Sequence, residues 1–156
     1  MSVNTVKEYL RQFGADSRVS EFEVSSATVE LAARALGCES GRIAKTLSFD
    51  LRGDTVLIVA AGDVRVDNRK YKERFGAKAR MLAREETEER TGHAAGGVCP
   101  FAVRAGAAVY LDESLKKFDK VYPACGSANS AIALTVEELE RFSRAEGWVD
   151  VCKPAD

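Results

Sequence analysis

Two adjacent apolar segments place the strongest constraint on how this chain can fold. Residues 43–49 (IAKTLSF) alternate in polarity as a half-buried strand does, and residues 55–61 (TVLIVAA) are almost continuously apolar. The sequence LRGDT between them is typical of a tight turn, so the two segments are predicted to pair as a β-hairpin. The fold must therefore contain a sheet that is built around this hairpin.

Lys45 interrupts the apolar side of the first strand. The alternation places Ile43, Leu47 and Phe49 on one face, and Lys45 falls on that same face. Such a lysine can protect an edge strand from aggregation, can extend its ammonium group from apolar surface into water, or can face a cleft that binds an anionic or polarised oxygen. A phosphate-binding P-loop is excluded, because that loop requires glycine where Ala44 stands and opens a helix rather than forming a strand.

Helical and strand patterns alternate along the rest of the chain. The spacing of apolar residues, with glycine stops and capping residues, predicts helices over residues 3–13, 28–36, 67–76, 85–92 and 136–145. Further strands are predicted over residues 79–82, 107–112, 119–125, 130–135 and 148–152. This mixture predicts an α/β (α+β) fold, with a mixed, curved, barrel-like sheet flanked by helices, in a single domain over residues 1–156.

Composition narrows the class of protein. The longest apolar run, VLIVAA, is far shorter than a membrane span, and the N-terminal sequence MSVNTVKEYL does not resemble a signal peptide, so a cytoplasmic location is expected. Four cysteines without a CxxC pair and a single histidine argue against a closed zinc site, and we expect no metal and no cofactor. A net charge of −1 argues against a protein that coats nucleic acid broadly.

The segment HAAGGVCPF (93–101) is too rich in glycine and proline for regular structure. It can be a surface turn, or a backbone cradle whose N–H groups hold an oxyanion or a carbonyl oxygen. Cys99 and His93 lie in this segment and could form a nucleophilic pair, although a free cysteine is more often a small buried hydrophobe.

Two further segments allow both a structural and a functional interpretation. Ser127 and Asn129, in ACGSANSA (124–131), can cap a turn or offer hydrogen bonds from a pocket wall. The basic stretch 65–84, which includes Arg69 and Lys70, can be a solvated helix face or a phosphate-binding surface. The acidic sequence EETEE that follows could also neutralise it within the chain.

Three motifs, in this order, carry a resemblance to a known family. They are R-I-A-K-T-L-S-F (42–49), R-T-G-H-x-x-G-G-V-x-P-F (90–101) and G-S-x-N-x-x-I-x-L-T-x-E-E-L (126–139). In combination they resemble the YbaK/prolyl-tRNA editing domain family, which are free-standing relatives of an editing domain inserted in some prolyl-tRNA synthetases. The resemblance covers about residues 20–150.

The resemblance implies an aminoacyl-tRNA deacylase that supports translation fidelity by trans-editing. The expected substrate is tRNA(Pro) carrying a small non-cognate amino acid such as Cys, Ala, Ser or Thr. The expected mechanism uses neither a metal nor a covalent intermediate. A prolyl-tRNA synthetase is the protein partner that the resemblance suggests, and the oligomeric state is left open.

Residue roles follow from the same resemblance. Lys45 matches the family's essential lysine and would orient the substrate, while Gly96 and Gly97, in the loop Gly96–Pro100, would stabilise the reacting carbonyl. Substrate contacts are expected from Thr46, His93, Val98, Cys99, Pro100, Ser127 and Asn129, and tRNA contacts from Arg69 and Lys70.

Two alternatives to this function stay open. One is a non-catalytic module that senses an aminoacyl or nucleotide ligand in the same cleft, and the other is a hydrolase that depends on Cys99. The sequence of the loop Val98–Phe101 and of Gly126–Asn129 departs from the Cys-removing members of the family, so the amino acid that is removed is left open as well.

Overall fold

The computed structural model describes residues 3–155, so residues 1, 2 and 156 of the predicted single domain lie outside the described part. The helices within it are α1 (Val3–Leu10), α2 (Val29–Leu36), α3 (Asn68–Phe75), α4 (Arg84–Thr91) and α5 (Val136–Ser143). The strands are β1 (Val19–Glu21), β2 (Ile43–Leu51), β3 (Asp54–Ala61), β4 (Val64–Val66), β5 (Ala108–Asp112), β6 (Lys120–Pro123), β7 (Ser130–Ile132), β8 (Leu134–Thr135), β9 (Gly147–Val149) and β10 (Cys152–Pro154).

A curled six-stranded sheet forms the centre of the fold, in the order β8-β6-β2-β3-β5-β9. β2 and β3 form the predicted antiparallel hairpin, with Leu47 opposite Ile58. β3 and β5, β5 and β9, and β2 and β6 are parallel pairs, whereas β6 and β8 are antiparallel. Two short antiparallel ribbons, β1–β7 and β4–β10, complete the structure. The predicted mixed, curved sheet with flanking helices is confirmed.

Each face of the sheet has its own hydrophobic core, because successive side chains of a strand point to opposite faces. Leu57 and Val59 of β3 pack in one core, to which helices α1 and α5 contribute. Ile58, from the same strand, packs in the other core with Phe49 of β2 and Tyr71 of α3. The almost continuously apolar sequence of β3 therefore corresponds to two cores, one on each face, and not to one buried face and one solvated face.

The predicted helix boundaries coincide with local hydrogen bonds. Asp67 precedes α3, and its carboxylate accepts hydrogen bonds from the backbone N–H groups of Arg69 (2.9 Å) and Lys70 (3.2 Å). Thr135 and Glu138 form the predicted capping box of α5, at 3.1 Å and 3.0 Å. These contacts satisfy N–H groups that have no partner within the helix, and their partners are near neighbours in the chain. The start of each helix can therefore be predicted from the sequence.

Several predicted elements are corrected by the structure. The strand predicted over 148–152 is two strands, because the N–H of Val151 donates to the buried carboxylate of Asp112 (2.9 Å) and turns the chain out of the main sheet. The strand predicted over 130–135 breaks at Ala133, whose carbonyl oxygen accepts a hydrogen bond from Arg18 (2.6 Å). The strand predicted over 79–82 is a single bridge between Met81 and Phe49. Helix 3–13 ends in a 3-10 turn, and β1 and β4 were not predicted.

Among the described residues, there is no helix whose length and apolar content would let it span a membrane.

Candidate active site

A cleft of about 320 Å³ opens beside β2, where β6 separates from it. β6 pairs with only the first two residues of β2, and the next backbone contact on that side is the N–H of Leu82, which donates to the carbonyl oxygen of Ser48 (3.0 Å). Residues 45–47 have no strand partner on that side among the described residues. Because alternate residues of a strand direct their backbone groups to the same neighbour, Thr46 directs its N–H and C=O towards the cleft, as Ser48 does.

Lys45 lies in this open stretch and lines the cleft. Its side chain is half-buried, and its ammonium group donates a hydrogen bond to the carbonyl oxygen of Val64 in β4. Burial lowers the pKa of Lys45 below its ordinary value, and the nearby groups of Cys152, Asp63 and Glu30 oppose that shift. The structure thus places a partly desolvated cation at the end of the cleft that adjoins the β4–β10 ribbon.

A glycine loop, residues 93–101, forms the wall opposite β2. Gly96, with φ of +91°, and Val98 line the cleft with Ala95. Gly97 faces the other way: a Cβ atom on it would lie 2.9 Å from both Cα and N of Ser127, which is closer than real contacts allow. Gly96 is therefore the glycine that borders the cleft, whereas Gly97 permits the loop to pack against the turn at Ser127.

His93 and Cys99 belong to the glycine loop, and the side chains of both are fully buried. The Nε2–H of His93 donates to the carbonyl oxygen of Phe101 (2.7 Å), which joins the two ends of the loop, while Nδ1 of His93 has no hydrogen-bond partner among the described residues. Neither side chain lines the cleft, although the sequence predicted that both contact the substrate. Burial raises the pKa of Cys99 to about 12, which disfavours the thiolate that a cysteine-dependent hydrolase needs.

A family model described as the aminoacyl-tRNA editing domain matches residues 23–142, which include the cleft, Lys45 and the glycine loop. The chain belongs to the aminoacyl-tRNA editing domain family. Members of this family act on aminoacyl-tRNA, and membership supports deacylation as the activity.

Relatives and solved structures agree with this assignment. The uncharacterized protein YwhH of Bacillus subtilis is 54% identical over 154 residues, which cover 98% of each chain. A proposed Cys-tRNA(Pro)/Cys-tRNA(Cys) deacylase, EbsC of Enterococcus faecalis, is 29% identical over 114 residues, 72% of this chain and 70% of EbsC.

Among solved structures, a proposed trans-editing enzyme for prolyl-tRNA synthetase superposes with a TM-score of 0.87 at 31% identity, over 97% of this chain and 96% of that one. A hypothetical protein, APE2540, superposes with a TM-score of 0.85 at 30% identity, over 96% and 99%. Both likenesses extend over nearly the whole chain.

Three other predicted contact residues of this editing domain do not line its cleft. Pro100 borders a separate cavity of about 290 Å³, together with Tyr9 and Val103. Ser127 donates to Oδ1 of Asn129 (2.9 Å), and the Nδ2 group of Asn129 donates to the carbonyl oxygen of Phe22 (2.9 Å). These two side chains hold the turn 126–129 in place. Their contacts therefore favour the interpretation that they cap a turn over the interpretation that they offer hydrogen bonds from a pocket wall.

Several polar residues that line the editing cleft were not singled out in the sequence. They are Ser26, Thr28, Ser48, Thr87, Tyr122 and Ser130, whereas Arg84, which also lines the cleft, is the last residue of the basic stretch 65–84. Ser48 could have been found from the strand pattern, because it shares a face with Thr46. Ser26 and Thr28 lie in a segment without regular structure, and only the folded chain brings them to the cleft.

The cations predicted to bind tRNA differ in their surroundings. Lys70 is engaged within the chain, since its ammonium group contacts the carboxylate of Asp150 (3.1 Å) and the carbonyl oxygen of Cys152 (2.9 Å). Arg69 is exposed and forms no ion pair within residues 3–155. Of the two, Arg69 is the residue that remains available to a phosphate.

Groups of three or more histidine, cysteine, aspartate or glutamate side chains that could hold a metal ion are absent from the part of the chain that the structure describes.

Proposed function

We propose that this cleft hydrolyses the ester bond of a mischarged aminoacyl-tRNA, in trans, and that tRNA(Pro) carrying a small non-cognate amino acid is its substrate. The observation that carries the proposal is the juxtaposition of Lys45 and the open edge at Thr46 with Gly96 across a cleft of about 320 Å³. This volume lies at the small end of ligand pockets, as expected for one amino acid and its ester.

Lys45 orients the ester in this proposal. Within residues 3–155, the one hydrogen bond that its ammonium group donates goes to a neutral backbone carbonyl, Val64 O. A phosphate oxygen, or the oxyanion that develops when the ester is attacked, carries more negative charge than this carbonyl oxygen and competes well for the same donor, because hydrogen bonds between two ionised groups are the stronger ones. Lys45 thus acts by its position and its field, and neither a covalent intermediate nor a metal is required in the proposed reaction.

The glycine loop stabilises the reacting carbonyl. Its backbone at Gly96 borders the cleft without a side chain, so a carbonyl oxygen can approach the N–H group there, whereas the N–H of Gly97 donates to the carbonyl oxygen of Ala94 (3.0 Å). The N–H of Gly96 would stabilise the charge that develops on the carbonyl oxygen when water attacks, with the terminal ribose hydroxyl assisting. Val98 supplies an apolar wall for the amino-acid side chain.

The cleft is shaped for a small side chain. Alanines occupy much of its lining: Ala27, Ala32, Ala44, Ala95, Ala124 and Ala131. The Oγ1 atom of Thr46 is buried there and has no hydrogen-bond partner within residues 3–155. A substrate with a hydroxyl or thiol group can satisfy that atom whereas alanine cannot, so we propose that Ser, Thr or Cys is removed in preference to Ala.

A deacylation panel tests the proposal. Purified protein is incubated with tRNA(Pro) charged with Cys, Ala, Ser, Thr or Pro, beside Lys45→Ala and the control Lys120→Ala, whose lysine is exposed and does not line the cleft. We expect hydrolysis of a mischarged species that spares Pro-tRNA(Pro), is lost in Lys45→Ala and is kept in the control. Tight binding of charged tRNA with no hydrolysis would instead establish a sensing module.

Thr46→Val tests whether the hydroxyl of Thr46 contacts the amino-acid side chain or the ester, because valine keeps the shape of threonine and removes its hydroxyl. We expect the preference for Ser over Ala to narrow in this variant. If both substrates slow equally, Thr46 acts on the ester and not on the amino-acid side chain.

The proposal also includes the cytoplasm as the location and a prolyl-tRNA synthetase as a partner. Co-purification of a tagged chain with the synthetase tests the association, and its failure would leave the free-standing enzyme as the active species.

A further inference from the structure

The β4–β10 ribbon carries two cations directly opposite each other. Arg65 of β4 is the register partner of Lys153 of β10, and both side chains are exposed. Like charges at directly opposed positions of an antiparallel pair destabilise it, because their Cβ atoms are only about 5 Å apart. Neither side chain forms an ion pair or hydrogen bond that would offset this repulsion within residues 3–155.

Neighbouring lysines, in contrast, are neutralised. Lys70 pairs with Asp150 at 3.1 Å, and Lys117 pairs with Asp63 at 2.9 Å. The unpaired state of Arg65 and Lys153 is therefore not a general property of the surface around them.

Arg69, at the start of α3, adds a third cation near this pair. The carboxylate between them is Asp67, whose pKa is lowered first by its hydrogen bond from the N–H of Lys70 and further by the charges of Lys153 and Arg69. That carboxylate is already used to cap α3. The surface formed by Arg65, Arg69 and Lys153, named here the ribbon surface, thus has an excess of positive charge that the protein itself does not neutralise.

The ribbon surface adjoins the cleft through a single residue. Val64, which precedes Arg65, provides the carbonyl oxygen that accepts the hydrogen bond of Lys45. A polyanion that leaves the cleft at the Lys45 end therefore meets the ribbon surface next. In an RNA whose terminal ester lies in the cleft, the groups at that place are the phosphates of the adjoining nucleotides.

We propose that the ribbon surface binds backbone phosphates of the RNA substrate next to its aminoacylated end. The inference rests on the proposed function for its choice of RNA, and it assigns a surface on which the repulsion between Arg65 and Lys153 is relieved when a phosphate binds between them. Such contacts release counterions and make binding dependent on salt, without selecting a base sequence.

Charge reversal with a matched control tests the surface. The variant Arg65→Glu/Lys153→Glu is compared with Arg104→Glu/Lys120→Glu, which changes the net charge equally at two exposed positions elsewhere. The measurement is the Kd for uncharged tRNA as a function of salt, which needs no hydrolysis. We expect the ribbon variant to bind at least tenfold more weakly, with a salt slope reduced by about one or two units, and the control to change far less.

A single substitution adds a signature that a merely structural role would not produce. Arg65→Glu places opposite charges across the ribbon, so its melting temperature should rise while its affinity for tRNA falls. Equal losses of affinity in the ribbon and control variants, or a wild-type protein that does not bind tRNA at low salt, would overturn the proposal.

Hydrolysis separates this inference from the proposed function. An aminoacyl ester of adenosine lacks the adjoining phosphates, so its rate of hydrolysis depends on the cleft alone. If the wild type cleaves neither this ester nor charged tRNA but binds tRNA through the ribbon surface, the deacylase proposal fails and the surface stands. If the ribbon variant slows hydrolysis of the small ester as much as that of tRNA, the ribbon acts on the cleft and the phosphate proposal is wrong.

Discussion

The cleft beside β2 is bordered by two further segments, here called its two walls, which are held in very different ways. The glycine loop is fixed by buried contacts, among them the 2.7 Å hydrogen bond from His93 to Phe101 and the close packing of Gly97 on Ser127. On the other side, residues 22–28, named here the N-terminal strap, have no regular structure and are mostly exposed. The strap is held through backbone hydrogen bonds of Phe22 to Asn129 O (2.8 Å) and of Ser26 to Ala128 O (2.6 Å).

Both walls meet at one turn. Residues 126 and 127 contact Gly97 of the loop, and residues 128 and 129 hold the strap. The buried side is suited to holding a reacting carbonyl in a fixed geometry, whereas the exposed side, with few buried apolar contacts, has the lower local stability. We infer that the loop determines the rate of the chemical step and that the strap determines how the substrate is admitted.

Among the variants that test the difference between the two walls, Gly97→Ala is expected to have the largest effect on hydrolysis. The new Cβ would lie 2.9 Å from backbone atoms that cannot rotate away, so the loop must shift. We expect kcat to fall by about 100-fold, since displacements of roughly 1 Å have that effect, and unfolding free energy to fall by about 1–3 kcal/mol. Gly147→Ala is the control, because a Cβ there meets nothing within 4 Å. Equal kcat values for the two variants would show that the loop is only a turn.

His93 provides a second way to loosen the buried wall. The amide nitrogen of glutamine can take the place of Nε2 and still donate to Phe101, whereas that of asparagine reaches only the place of Nδ1. His93→Asn should therefore cost about 1–3 kcal/mol of unfolding free energy and lower kcat, while His93→Gln keeps most of both. Thermal unfolding and single-turnover hydrolysis measure the two quantities. Equal losses of stability and kcat in His93→Gln and His93→Asn would show that the hydrogen bond from His93 to Phe101 does not hold the loop.

The pH dependence of hydrolysis reports on Lys45, which lies between the two walls. Its pKa is lowered by burial, so its ammonium form is lost at a pH below the ordinary value of 10.5. If that form orients the ester, the enzymatic rate, corrected for spontaneous hydrolysis, falls on the alkaline side below that value. Lys45→Arg should remove this limb, because arginine stays charged. If the alkaline fall in rate persists in Lys45→Arg, the titration of another group causes it.

Asn129→Ala, which releases the strap, should have the smallest effect. It removes the hydrogen bond of 2.9 Å to the carbonyl oxygen of Phe22, at an exposed site. We expect less than about 1 kcal/mol of destabilisation and a raised KM with little change in kcat. Asn68→Ala, at an exposed helix position, serves as the control. Hydrogen exchange should show faster exchange at Ser26 than at Gly97 in the wild type, and a fall in kcat without a change in KM would contradict the division between the walls.

Local signals predicted much of this fold. The hairpin of β2 and β3 follows from the alternation of β2, the apolar run of β3 and the turn sequence between them. The start of α3 follows from Asp67, because a hydrogen bond between near neighbours satisfies the helix end. The strand predicted over 148–152 is wrong because Asp112, far away in the chain, provides the hydrogen bond that divides it. A local pattern carries no information on such a partner.

For the candidate site the same division holds. The sequence by itself determined that Lys45 is out of place on an apolar face, that a glycine loop is present, and that these motifs belong to one family. Only the tertiary structure decided that Gly96 and Gly97 face opposite ways, that the side chains of His93 and Cys99 are buried away from the cleft, and that Arg65 faces Lys153. The physical reason is that the direction of a loop side chain and the register of a two-stranded ribbon depend on contacts between distant segments, which are made only when the chain has folded.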